Sequence, residues 1–212
     1  SSDLAPGLAG TLIDEKADMQ DIVATLVNLG HKGVITMQEE QSPGFAGIGT
    51  RNEFIFELVD SGQPLLEHER MLIDGMFGGK QRVELSDLKN KFYKTVSKLQ
   101  TQLYAEVVDA GFFKNNPQST RSTYGCAGFL LLGLGIGSIV LFGGTISGYA
   151  VLLTLPLISL AIVGVGVLIA SNFMPRRTAE GAEAYARWKA FKTYLNSIEK
   201  YAELEQVKDT FD

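Results

Sequence analysis

The chain has 212 residues, a net charge of −5 and a pI near 5.1. An acidic balance disfavours nucleic acid as the main partner. The one cysteine, Cys126, excludes disulfides and cysteine metal sites, and no basic start or apolar run marks Ser1–Gly10 as a signal peptide. The absence of an initiating Met implies a piece of a longer chain.

Taken in order, Pro6 opens a short helical run with Leu8, Leu12 and Ile13 on one face. Asp14 to Asp18 reads as a charged turn. Asp18 is an N-cap for a helix through about Leu29, with Ile22, Val23, Leu26, Val27 and Leu29 on its buried side. Gly30 and Gly33 end it. Val34, Ile35 and Met37 start a strand, residues 39–50 form a glycine-rich loop, and Phe54, Phe56 and Leu58 mark the return strand, with Ile55 breaking strict alternation. Helix, helix, strand, loop, strand is the order of a winged helix with the loop as its wing. Residues 1–60 hold three Lys/Arg against ten Asp/Glu, a net charge of −7.

A second unit is expected over 61–121. Leu66 to Phe77 reads as a helix stopped by Gly78 and Gly79, Val83 and Leu85 as a short extended piece, and Ser86 with Asp87 as the cap of a long helix through Ala110. Its stripe is Leu88, Phe92, Val96, Leu99, Leu103 and Val107. An offset of 78 lays Leu26, Leu29, Gly33, Val34 and Ile35 on Tyr104, Val107, Gly111, Phe112 and Phe113. That overlay suggests tandem winged-helix-like units, although any helix-to-strand junction looks similar. Lys89, Lys91, Lys94 and Lys98 form a basic helix face. A solvated surface is the simplest account of them; contact with an anionic lipid leaflet comes second and nucleic acid third. Glu67, His68 and Glu69 diverge by about 100° per residue and are explained by the helix dipole.

Tyr124 to Ser171 is 48 residues without a charge or carboxamide. This is too long for one span and suits two, about 124–142 and 150–170, joined by an uncharged turn over 143–149. Domain 122–173 is therefore read as a transmembrane hairpin. Lys114, Arg121, Arg176 and Arg177 flank it while the turn has no Lys or Arg, which places both ends in the cytoplasm. Pro156 should kink the second span. Gly133, Gly137 and Gly164 are candidate helix-packing positions, between the two spans or against a partner span. No ionisable side chain lies between the flanks, which argues against a transporter.

Residues 174–212 form a cytoplasmic amphipathic helix. Ala184, Trp188, Phe191, Leu195, Ile198 and Ala202 recur at helical spacing, and Trp188, Phe191, Leu195 and Ile198 are the candidate protein or membrane interface. Docking on the chain's own domains is the first expectation for this seam; a partner helix and the membrane interface are the others. His31 and His68 lie in no metal-ligand spacing, and no G-x-S-x-G, P-loop or dinucleotide fingerprint is present. No catalytic residue, cofactor or metal is expected.

The run PRRTAEGAEAYARWKAFKTYLNSIEK (175–200), with Arg177, Thr178, Gly181, Trp188, Phe191, Tyr194 and Leu195 as its most specific part, resembles the post-membrane segment of domain-of-unknown-function family 2207, a family of predicted membrane proteins. LAGTLIDEKADMQDIVATLVNLGHKGVI and LLEHERMLIDGMFGG are similar to its cytoplasmic region. The resemblance implies an integral protein of a prokaryotic inner or plasma membrane, with an extracytoplasmic β-rich domain and a first span before Ser1; it implies architecture and not mechanism. The fold class expected is a mainly α membrane protein, a transmembrane hairpin joined to cytoplasmic winged-helix-like α+β units and a juxtamembrane amphipathic helix. The function expected is a non-enzymatic membrane scaffold or protein-interaction protein. The partners are the lipid bilayer and other membrane or cytoplasmic proteins, with the oligomeric state open. The alternatives are an accessory subunit of a larger membrane complex and a membrane-tethered nucleic-acid-binding regulator.

Overall fold

The computed structural model describes residues 4–43, 50–59, 62–88, 92–142 and 150–209, and the chain divides into two units: residues 1–110 with 181–212, and residues 111–180. The 44–49 part of the expected wing, the 143–149 turn, Lys89 and Lys91 lie outside the described residues.

In the first unit α1 is Pro6–Asp14 and α2 is Met19–His31. Asp18 caps α2 as its sequence requires: its Oδ1 accepts the Gln20 N–H at 2.8 Å, while Asp21 Oδ2 accepts the Asp18 N–H at 3.1 Å. Two orphan donors of the first turn are thereby satisfied reciprocally. Gly33, at φ 72°, turns the chain out of α2 into β1, Ile35–Pro43. That left-handed conformation is open to glycine without a Cβ penalty. Strand β2, Thr50–Leu58, pairs antiparallel with β1, so that Ile35 faces Leu58 and Met37 faces Phe56.

Helix α3, Glu67–Phe77, ends at Gly78 with φ 53°. Strand β3, Arg82–Glu84, then pairs with β2, giving the order β1-β2-β3. This makes β2 a central strand, and it accounts for the irregular Ile55: both Ile55 and Phe56 are buried, on opposite faces. The long helix expected from Ser86 to Ala110 is not continuous among the described residues, since Phe92 is a turn residue. It is replaced by a single turn, α4, Leu85–Leu88, and by α5, Tyr93–Asp109.

The stretches on either side of the expected division at residue 60/61 lie together in the first unit through residue 110. One core contains Ile22, Leu29, Val34, Ile35 and Phe56 from the first stretch together with Leu72, Ile73, Met76, Phe77, Val83, Leu88 and Leu99 from the second. The β2–β3 pairing and the ion pairs from Arg82 to Glu40 and Glu57 cross the same boundary. The three-residue β3 has no ladder without β2. The expected boundary at 121 also moves, because residues 111–121 belong with the hairpin. Likewise Phe112 and Phe113 begin no second sheet; Phe113 makes an isolated antiparallel bridge with Arg177.

The second unit is built on α6, Pro117–Phe142, and α7, Ala150–Ser171. Pro117 suits the first helical position, where its missing N–H costs nothing, and the Asn116 Oδ1 accepts the Gln118 and Ser119 N–H groups at 2.9 and 3.2 Å. The helices pack antiparallel, Gly128 against Leu168 and Gly135 against Ala161. The α-helix runs unbroken through Pro156. Much of the apolar surface stays uncovered: Leu130 is 68% exposed, Val140 76% and Ile162 66%. Among the described residues one segment, Pro117–Val140, is long and apolar enough to cross a membrane, and the apolar helix over Leu155–Ser171 is shorter. The last helix, α8, spans Ala179–Asp209.

Candidate functional site

An apolar cleft of about 590 Å³ lies in the first unit, framed by α2, β2, α3, α4 and α5. Its floor is core: Ile22, Phe56, Leu72, Met76 and Leu88 are all buried. Its rim is apolar and open to solvent, with Met19, Val23, Phe54, Leu85 and Tyr93 exposed. Val23 was expected on the buried face of α2 with Val27. Instead both are about half exposed, because α2 turns its Ile22/Leu29 edge to the core and leaves Val23 on the rim. A contiguous apolar rim around an apolar floor is what interaction grooves look like, whereas isolated surface apolar residues need no explanation. Glu53 is the one carboxylate among the described residues of the lining. It is buried, and its Oε1 accepts the Ser86 N–H at 2.8 Å, which ties α4 to β2 and shapes one wall.

Buried ionisable groups fix the helices that frame the cleft. Glu69 is fully buried and joins α3 to α2, with Oε1 2.6 Å from Lys32 Nζ and 3.1 Å from Asn28 Nδ2. His68, also buried, joins α3 to α5: its Nδ1 is 2.6 Å from Glu106 Oε2, and its N–H donates to Glu106 Oε1 at 2.8 Å. Its Nε2 is buried and has no hydrogen-bond partner among the described residues. Burial opposes ionisation of Glu106, but hydrogen bonds from His68 and Gln102 outweigh it and hold the carboxyl below its ordinary range. Burial pushes Asp21, between α1 and α2, up to about 6, against the hydrogen bonds from Asp18 and Thr11. The 67–69 triplet does diverge, as its spacing demands. What the sequence did not show is that two of its members face inward, because the partners Lys32 and Glu106 lie 37 and 38 residues away.

The remaining expected positions are dispersed. Lys94 and Lys98 are exposed on α5. In the hairpin a methyl group on Gly164 would lie 2.6 Å from the Leu132 nitrogen, and one on Gly135 would lie 2.7 Å from the Ala161 nitrogen. Gly133 and Gly137 have open space at the same position, so contact between α6 and α7 runs through Gly128, Gly135 and Gly164. Along the seam of α8 Ala184 and Trp188 are half-buried, whereas Phe191 is 49% exposed and Leu195 and Ile198 are each 47%. Trp188 meets Phe191 edge to face with ring centroids 5.9 Å apart. The Phe191, Leu195 and Ile198 part of the seam is therefore open; Lys192 lies 3.7 Å from Asp14, a contact made by the basic side of the helix. Among the described residues no group of three or more His, Cys, Asp or Glu side chains could hold a metal ion.

No curated protein and no solved structure matches the chain. A family does: the C-terminal domain of predicted membrane proteins of type DUF2207 matches residues 2–209, nearly the whole length. The exposed apolar helices α6 and α7 and the first unit are thus parts of one family domain, and the chain belongs to the DUF2207 family of predicted membrane proteins.

Proposed function

We propose that this chain is a non-enzymatic integral membrane scaffold whose soluble unit receives the apolar face of an amphipathic helix from a partner protein. The observation that carries the reading is the cleft with its exposed apolar rim at Met19, Val23, Phe54, Leu85 and Tyr93. Its volume of about 590 Å³ suits two or three large apolar side chains at helical spacing. Charge sets the partner's chemistry. Asp18 adjoins Met19 on one side, and Glu84 and Asp87 bracket Leu85 on the other, within a chain whose first 60 residues carry a net charge of −7. A partner helix with Lys or Arg beside its apolar face matches such a rim.

Two finer features complete the proposal. Both apolar helices span the bilayer as a hairpin, α7 having 22 residues and hence about 33 Å of helix. Both ends face the cytoplasm, supported by the four Lys/Arg at the flanks. The soluble unit is a rearranged winged helix: α2 leads into the hairpin β1-β2, and β3 from downstream occupies the sheet position beside β2. An apolar lining in which Glu53, Ser86 and Tyr93 are the polar members supports binding over catalysis.

Photocrosslinking from position 93 of the full chain in native membranes tests this. The expected product is a peptide from a partner's basic amphipathic helix, lost in the double variant Val23→Lys, Phe54→Lys. Crosslinks to lipid alone, to a second copy, or unchanged in that variant would overturn the proposal.

A further inference from the structure

We propose that the charged end of the hairpin holds a phosphate-bearing anion, the headgroup of an anionic phospholipid, between Lys114 and Arg176. A polar cavity of about 600 Å³ lies there, within the 111–180 unit, lined by Lys114, Asn115, Ser119, Thr123, Tyr124 and Arg176 among others. The way the chain makes it is specific. The Phe113–Arg177 bridge and the Thr178 N–H donated to the Phe112 carbonyl at 3.0 Å run residues 112–113 antiparallel to 177–178. The Thr178 hydroxyl donates to the Gly111 carbonyl at 2.5 Å and tightens the same neck. One step along that register, Lys114 stands opposite Arg176.

Two like charges on facing positions repel each other. Among the described residues of the cavity lining there is no Asp or Glu to neutralise them, and Glu180 is the one acid in residues 111–180 against four Lys/Arg. Among the described residues neither Lys114 nor Arg176 forms an ion pair. A neck that brings two unpaired cations together beside amide and hydroxyl groups is built for an anion with several acceptor oxygens. The Gln118 and Ser119 backbone N–H groups are already taken by Asn116, so the side chains must do the holding.

Tyr124 selects the source of the phosphate. It lines the same cavity and opens the 48-residue uncharged stretch, so the cavity straddles the boundary between charged neck and apolar helix surface. Headgroups and aromatic rings share that level of a bilayer. A lipid would fill the cavity with its phosphate and lay its acyl chains along the exposed apolar face of α6.

The test uses the full chain in nanodiscs of phosphatidylcholine with or without a minor fraction of phosphatidylglycerol, with retained lipid read by native mass spectrometry and unfolding temperature measured in parallel. Wild type should retain phosphatidylglycerol preferentially and unfold at higher temperature in its presence. The variant Lys114→Gln, Arg176→Gln should lose about fivefold in preference for each cation, about 25-fold in all. The swapped variant Lys114→Arg, Arg176→Lys should keep most of it, which separates charge from loss of fold. The proposal is overturned if the double Gln variant, with helix content intact, retains phosphatidylglycerol like wild type. It is equally overturned if millimolar inorganic phosphate displaces the lipid or reproduces the stabilisation, since the site would then serve a soluble phosphate.

Discussion

Glu69→Ala tests whether residues 1–110 are one cooperative body. The Glu69 carboxylate is fully buried and accepts from Lys32 Nζ at 2.6 and 2.9 Å, from Asn28 Nδ2 at 3.1 Å and from the Leu66 N–H at 3.0 Å. Removing one member of a buried ion pair costs about 3–5 kcal/mol, since the partner is left uncompensated. The Lys32 side chain is one-third exposed and can turn toward water, which places the expectation near the lower limit. Against a total stability of about 5–15 kcal/mol this is a large share, and it lowers the unfolding temperature by about 12 °C for a domain of this size. Glu69→Gln keeps an acceptor for the Leu66 N–H and should cost less. The assay is thermal unfolding of the full chain in detergent, followed by circular dichroism and by hydrogen exchange. Amides of α2, β2 and α3 should lose protection together. A loss below about 1 kcal/mol, or α3 and α5 opening while α2 and the β1-β2 hairpin stay protected, would refute the single core.

Other consequences follow from the same contacts. Asp21 loses its proton near 3.8 when unfolded and at about 6 when folded, so between those values the folded state binds more protons. Stability should therefore fall as pH rises through that window, by about 1.4 kcal/mol per unit, and Asp21→Asn should flatten the slope in chemical denaturation. Glu106 acts in the opposite sense, and its contribution is lost as pH falls below its ordinary 4.5, so it does not produce the fall expected from Asp21 between 5 and 6. In the hairpin, Gly135→Val and Gly164→Val push against backbone atoms of the facing helix and should lower the unfolding temperature in micelles by several degrees, whereas Gly133→Val and Gly137→Val should not. Equal effects at all four positions would show that α6 and α7 pack otherwise. Gly75→Ala should destabilise the α3–α5 contact by about 1–3 kcal/mol, because its methyl group would collide with Thr95; unchanged denaturant unfolding would refute that packing.

Much of the local structure was legible in the sequence. The Asp18 cap, the Gly78 stop of α3, the α2–β1–β2 order and the apolar helices on either side of residues 143–149 all rest on signals within about one helical turn or one strand. Such signals survive without tertiary context because capping, left-handed glycine and periodicity are decided by near neighbours. The length of α5 was less legible, since the Ser86–Asp87 cap signal belonged to a separate four-residue turn whose place is set by the Glu53 contact with Ser86.

By itself the sequence determined that a long uncharged stretch, flanked by cations, must leave water, since no soluble core requires 48 residues without a polar face. It could not determine which soluble segments share a core, because the three residues of β3 have no pattern of their own until β2 supplies a ladder. Nor could it show that Glu69 and His68 point inward, that Val23 and Phe54 rim a cleft, or that Lys114 and Arg176 face each other across the neck. Each of those depends on partners tens of residues apart, and only the packing of the chain brings them within reach.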